Sequence, residues 1–243
     1  MQVDALALRL RPRPMAEAAD AGVLLVQQHA RGIARIWLPL YAVVVALSLA
    51  TVEIAGWLPA TLIFCLKPWL DRTLLFVLSR AVFGETTHWR DVWANRSALW
   101  WRDLWHTLTL RRLSPWRAFT QPIRQLEGQR GRAASQRRAQ LLRGKRGAAG
   151  GMHLVFANVE MVFYLALGSL LVWFAPEGSH RNVLAWLVEG ASLGHQALWS
   201  LLYAAGVLVL EPFYVASGFA MYLNRRVELE AWDVEQEFRR AFG

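Results

Sequence analysis

Cysteine is almost absent, acids are missing from the region where bases gather, and residue patterns that support catalysis do not occur. Cys65 is the single cysteine in 243 residues, which excludes an internal disulfide and a thiolate metal cage. The six histidines, His29, His88, His106, His153, His180 and His195, are scattered with no ligand-like close pair. There is no Gly-x-Ser-x-Gly elbow, phosphate loop or dinucleotide fingerprint. Gly144-Lys145-Arg146-Gly147 is part of a basic stretch. Glu160 and Glu211 have no companions arranged for general acid–base work. The expectation is a protein that is not an enzyme and holds no cofactor or metal. The N-terminus also lacks a short apolar core with a small-residue cleavage site, so the first apolar segment is expected to remain as a membrane span.

Acids are scarcest between Arg111 and Arg146. Eleven Lys/Arg stand there against Glu127 alone, a net +10 in a chain whose total is +9. A basic loop between apolar segments marks the cytoplasmic side of a membrane and attracts anionic lipid headgroups. It has no interleaved aromatics on which bases could stack, so nucleic acid is not an expected partner.

What the chain has in abundance is apolar length. Met152–Ala175 and Ala197–Leu223 each carry one charge, Glu160 and Glu211. About 20 helical residues cross a bilayer core, and only closed hydrogen-bond patterns can do so. A further run, Ile36–Ala55, contains Pro39 and, near its far end, Glu53. Gly56-Trp57-Leu58-Pro59 turns into Ala60–Phe83, which Lys67, Asp71, Arg72 and Arg80 interrupt. The expected fold class is an all-α polytopic membrane protein with four spans and several amphipathic helices. Its parts are a cytoplasmic amphipathic arm (1–35), a first transmembrane hairpin (36–84), a basic cytoplasmic loop (85–151), a second hairpin (152–223) and a cytoplasmic amphipathic tail (224–243). The chain would then be multi-pass with both termini inside the cell.

Periodicity places the amphipathic elements. In the arm, Ala19, Val23, Val26, Ala30 and Ile33 form one stripe. Between Glu85 and Leu110 a tryptophan-rich helix is expected, with Trp89, Trp93, Trp100 and Leu104 on one side. Asp91, Asn95, Arg102 and His106 lie opposite. Tryptophans on such a face lie in the membrane interface or pack on other helices. Gln129–Gly151, rich in Arg, Gly, Ala and Gln, reads as a linker. Val183–Val188 reads either as a short interfacial helix or as the start of another span. The tail carries Val227, Ala231, Val234, Phe238 and Phe242 in one stripe, with Glu235 and Arg239 paired one turn apart.

Two segments echo each other at an offset of 144 residues: Leu66-Lys67-Pro68-Trp69 and Leu210-Glu211-Pro212-Phe213. Each is apolar, charge, proline, aromatic. Proline-broken spans in corresponding halves recur in transporters, and two kinked hairpins that pack together would give the same pattern. A buried charge is costly unless paired, so Lys67 and Glu211 are expected as neighbours. Asp71, one turn from Lys67, competes for it. Glu160 either joins Asn158 in a separate polar site or reaches the headgroups. The candidate intramembrane polar centre is therefore Lys67, Asp71, Arg72, Glu160 and Glu211.

Three strings carry a resemblance: Glu211–Arg226 continuing to Glu230-Ala231-Trp232-Asp233, Leu66–Arg72 with Leu78–Glu85, and Leu108–Pro115. They resemble an uncharacterised family of bacterial inner-membrane proteins, commonly encoded beside MoxR-type AAA+ ATPases and von Willebrand factor A-type proteins. A more distant similarity is to the membrane domain of glycerophosphodiester phosphodiesterases, whose catalytic part has no counterpart here. The resemblance implies an inner-membrane location and a place in an envelope-associated assembly with a MoxR-type ATPase as partner. The expected function is non-enzymatic docking through the cytoplasmic helices. The alternative is a small transporter or lipid-handling protein built on Lys67 and Glu211.

Overall fold

The computed structural model describes residues 12–109 and 114–230, with the side chain of His106 excepted. The first eleven residues of the expected arm, the loop residues Arg111 and Arg112, and the tail stripe from Ala231 to Phe242 lie outside the described residues. Among those described, every regular element is helical. They are α1 (Met15–Leu49), α2 (Leu58–Ala81), α3 (Trp89–Ala94), a π-helical turn (Ser97–Trp101), α4 (Leu104–Leu108), α5 (Arg117–Gln125), α6 (Gly131–Leu142), α7 (Arg146–Trp173), α8 (His180–Glu189) and α9 (Leu193–Glu230).

Three of these, α1, α7 and α9, are long and apolar enough to cross a membrane. Four spans were expected. At 24 residues α2 is also long enough, about 36 Å at 1.5 Å per residue. It is not apolar enough, because Lys67, Asp71 and Arg72 crowd its middle. α8, at 10 residues, is about 15 Å long and too short to cross.

The helices are shared between two compact units. Unit 1 comprises the described residues within Met1–Trp37, Pro68–Leu154 and Pro212–Gly243; unit 2 comprises Leu38–Lys67 and Val155–Glu211. Both charge–proline dipeptides, Lys67-Pro68 and Glu211-Pro212, fall on the division.

In unit 1 most of the second half of α2 is buried. Leu70, Leu74, Leu75 and Leu78, and Val82 just beyond the helix, have essentially no exposed surface, each such side chain contributing about 1.5–3 kcal/mol by leaving solvent. Against this core, α9 approaches α1 and α5 so closely that glycine is required at both contacts. A Cβ on Gly22 would lie 2.4 Å from the Ala216 carbonyl oxygen, and one on Gly218 would lie 2.4 Å from the Ala118 Cβ. Ser217 Oγ, between these contacts, donates to the Ala19 carbonyl at 3.1 Å. The close contact at Gly22 centres the buried stripe of α1 on Ala18, Gly22, Leu25 and Val26. The expected stripe is corrected accordingly: Ala30 is exposed, and Ala19 and Val23 are only half-buried. The arm and the first apolar run also form one helix, bent at His29, whose φ of −110° and ψ of 16° are not helical.

The expected tryptophan-rich helix is not continuous. The π turn ends in extended backbone at Arg102, and Asp103 has φ 58°. The cause is Arg72 of α2, a buried cation. Its guanidinium donates to the Ala98 carbonyl at 2.6 Å, to the Arg102 carbonyl and to Thr107 Oγ1 at 3.2 Å. The break releases carbonyls to Arg72 that an unbroken helix would keep for itself. Trp100 packs inward, its ring 5.9 Å from that of Trp69 and its indole N–H donating to Thr73 at 3.1 Å. Trp89 and Trp93 remain exposed, as do Trp101 and Trp105.

Gln129–Gly151 is not a linker either. It forms α6 and the first turns of α7, with Ala134, Leu141 and Leu142 buried. These residues recur at helical spacing on one side, which the surrounding arginines obscured.

Unit 2 is closed by aromatics and tight glycines. Trp199 lies against Gly168, where a Cβ would come within 2.9 Å of its ring, and its ring centroid is 5.1 Å from that of Tyr164, the two planes tilted by 53°. Gly56 leaves room for Gln196. Tyr41 of α1 donates its hydroxyl to the Ala204 carbonyl of α9 at 2.9 Å.

Candidate functional site

Unit 2 gathers Lys67 from α2, Glu160 from α7 and Glu211 from α9. Lys67 Nζ donates to Glu160 Oε1 and Oε2 at 3.0 and 2.7 Å, and lies 2.8 Å from Glu211 Oε2. An ammonium has three donors, and three carboxylate oxygens meet them. Side-chain exposure is 7% for Lys67 and 2% for Glu211, against 20% for Glu160. Charges so deeply placed persist only when paired and hydrogen-bonded. An ammonium whose protons are all accepted offers no lone pair for nucleophilic or base chemistry. The arrangement is suited to joining three helices at one point. Of the expected polar centre, Lys67, Glu160 and Glu211 come together here. Glu160 reaches Lys67 rather than serving a separate site with Asn158.

Asp71 and Arg72 belong to unit 1 and have partners there. Arg117 of α5 places its Nε 3.1 Å from Asp71 Oδ2, and both are buried. The same guanidinium lies over the Tyr214 ring at 5.1 Å, and the Tyr214 hydroxyl is 3.0 Å from His153 Nδ1. Asp71 thus has a partner in Arg117 that sequence reading missed, because Arg117 was counted only as one base of a basic loop. The apolar residues that follow it, Ala118, Phe119 and Ile123, are buried and were the available sign that this stretch enters a core.

A second network orders the basic region. Arg137 of α6 donates through Nε to both oxygens of Glu127 at 3.1 and 3.0 Å, and pairs with Glu230. These bonds, Glu127 first, hold the Arg137 guanidinium above the usual arginine range against the opposing effect of burial. Tyr222 donates to Glu127 at 2.6 Å. Glu228 receives Lys145 at 3.0 Å and Arg225 at 2.6 Å. The acids of this region are therefore engaged, and Arg132, Arg138, Arg143 and Arg146 stand exposed on α6 and the start of α7. Among the described residues no group of His, Cys, Asp and Glu is placed to hold a metal ion.

Long apolar helices carrying a buried ion cluster define, by length and composition, a helical membrane protein. No family model, curated protein or solved structure matches the chain.

Proposed function

We propose that this protein is a non-enzymatic component of the bacterial inner membrane that docks partners of an envelope-associated assembly. The observation that carries the reading is the basic surface of α6 and the start of α7. Its acids are consumed by internal pairs, while Arg132, Arg138, Arg143 and Arg146 face outward. A MoxR-type ATPase, suggested by the sequence resemblance, is the partner to test first.

In this reading α2 is a fourth crossing, and both termini and the loop 85–151 are cytoplasmic. The support is energetic. Each charge that sets α2 apart has a partner: Lys67 has two carboxylates, Asp71 has Arg117, and Arg72 has backbone carbonyls. A helix whose charges are all satisfied no longer carries the cost that keeps charges out of bilayers. The strong Lys/Arg clusters then share one side.

The test is affinity purification of the tagged full-length chain from native membranes in mild detergent. The same is done with Arg132, Arg138, Arg143 and Arg146 changed to Gln. Recovery of a MoxR-type ATPase with the wild type and its loss with the variant is the expected result. Equal recovery with both, or none with either, defeats the docking reading. The Lys67 cluster favours the second reading, a small transporter or lipid-handling protein. Under that reading a solute or lipid co-purifies with the wild type and is lost on Glu211→Gln.

A further inference from the structure

Where α1 bends at His29, unit 1 contains a cavity of about 430 Å³. Gln27, Gln28 and Arg31 line it from α1, and Glu85, Thr86 and Thr87 from the segment after α2. Two features of this wall point to a ligand. Thr87 is 9% exposed, and its hydroxyl oxygen is buried with no hydrogen-bond partner. Buried polar groups are ordinarily satisfied, so such an exception calls for a missing partner. Arg31 forms no ion pair among the described residues. The carboxylate in the wall, Glu85, is already held by Arg80 at 3.2 Å. The cavity also borders Gly32 and Gly84, where a Cβ would meet only open space; Gly84 is favoured there by its φ of 72°.

We propose that this cavity binds a phosphate group. Arg31 supplies the counter-cation, the Thr87 hydroxyl donates from the buried side, and the amides of Gln27 and Gln28 donate from the rim. A fork of guanidinium donors with a hydroxyl and two amides matches the several acceptor oxygens of a phosphate. His29 stays with its own helix, its Nδ1 3.1 Å from the Leu25 carbonyl. Two sources fit this chemistry. The wall ends shortly before the apolar run that begins at Ile36, which is where a phospholipid headgroup would be found. A soluble phosphate ester would present the same group.

The experiment uses the full chain in detergent with three probes: phosphatidylglycerol, diacylglycerol with the same acyl chains, and glycerol 1-phosphate. Native mass spectrometry counts retained lipid, and thermal shift and titration report binding. Saturable binding is expected for phosphatidylglycerol, for glycerol 1-phosphate or for both, and none for diacylglycerol. Binding by the lipid alone identifies a headgroup site, whereas binding of glycerol 1-phosphate identifies a soluble ester. Arg31→Gln should weaken binding at least tenfold. Thr87→Val should weaken it while keeping the unliganded melting temperature, because the lost hydroxyl has no partner within the protein. Gly32→Leu fills the space without removing a donor and should abolish binding in a chain that still melts cooperatively. Diacylglycerol binding equal to phosphatidylglycerol overturns the proposal. So does an absence of saturable binding by either phosphate compound, or binding unchanged by both Arg31→Gln and Gly32→Leu. These outcomes are independent of whether α6 docks an ATPase.

Discussion

Replacing Lys67 by Met would leave Glu160 and Glu211 facing each other without the ammonium between them. Breaking a buried ion pair from one side costs about 3–5 kcal/mol, mainly because the remaining charge is stranded. Here two carboxylates are stranded at once, one of them 2% exposed, so Lys67→Met should lie at or above the top of that range. Glu211→Gln removes the deeper partner and leaves Lys67 with Glu160. Its cost should be about 3 kcal/mol. Glu160→Gln should be mildest, since Glu160 is the most exposed of the three at 20% and Lys67 keeps its buried partner. For a chain of this size each kcal/mol corresponds to about 3 °C in melting temperature. Lys67→Met is therefore expected to lower it by about 15 °C and Glu211→Gln by about 9 °C, on the same conversion. The assay is thermal unfolding in detergent followed by tryptophan fluorescence. The decisive comparison is the triple variant Lys67→Met, Glu160→Gln, Glu211→Gln. With no charge left to strand, it should recover part of the Lys67→Met loss, because well-packed neutral replacements of buried ion pairs are often tolerated. If the effects of the substitutions simply add, or if Glu160→Gln is as damaging as Lys67→Met, the three side chains do not act as one cluster and the reasoning fails.

Three further outcomes are expected. Gly22→Leu should destabilise by about 1–3 kcal/mol, since its Cβ would fall 2.4 Å from the Ala216 carbonyl oxygen, whereas Gly147→Leu, with open space at its Cβ, should be neutral in the same melt. In single-tryptophan variants reconstituted in bilayers, Trp105, 81% exposed, should be quenched by spin-labelled lipid more strongly than Trp100, which packs on Trp69; equal quenching would remove the interfacial role of this segment. Reporter fusions at Gly144 and after Gly243 should be active with cytoplasmic reporters only, and a periplasmic signal from either would break the four-crossing topology.

How far the sequence could be read follows from the range over which each signal acts. The apolar runs announce α7 and α9 because twenty apolar residues have few alternatives. Charge next to proline at Lys67 and Glu211 identifies two of the three cluster members for a similar reason, since an isolated charge in such a run requires a partner. Periodicity failed where a long-range contact outweighed it. The tryptophan stripe is helical on paper, yet Arg72 draws on the carbonyls of Ala98 and Arg102, and those become available only if the helix breaks. The stripe of α1 was misplaced because Gly22, with no side chain to count as apolar, turned out to be the point of closest approach. The linker assignment failed because it rested on composition, whereas Arg137 within that stretch pairs with Glu127 and Glu230. In each case the deciding interaction joins residues far apart in the chain through a charge or a missing side chain. Hydropathy averages neither. The same reasoning explains why Arg117 and Asp71 were not paired in advance, although each is legible alone. Asp71 requires a cation, and Arg117 precedes apolar residues that enter a core. Only the fold of unit 1 brings the two needs to one place.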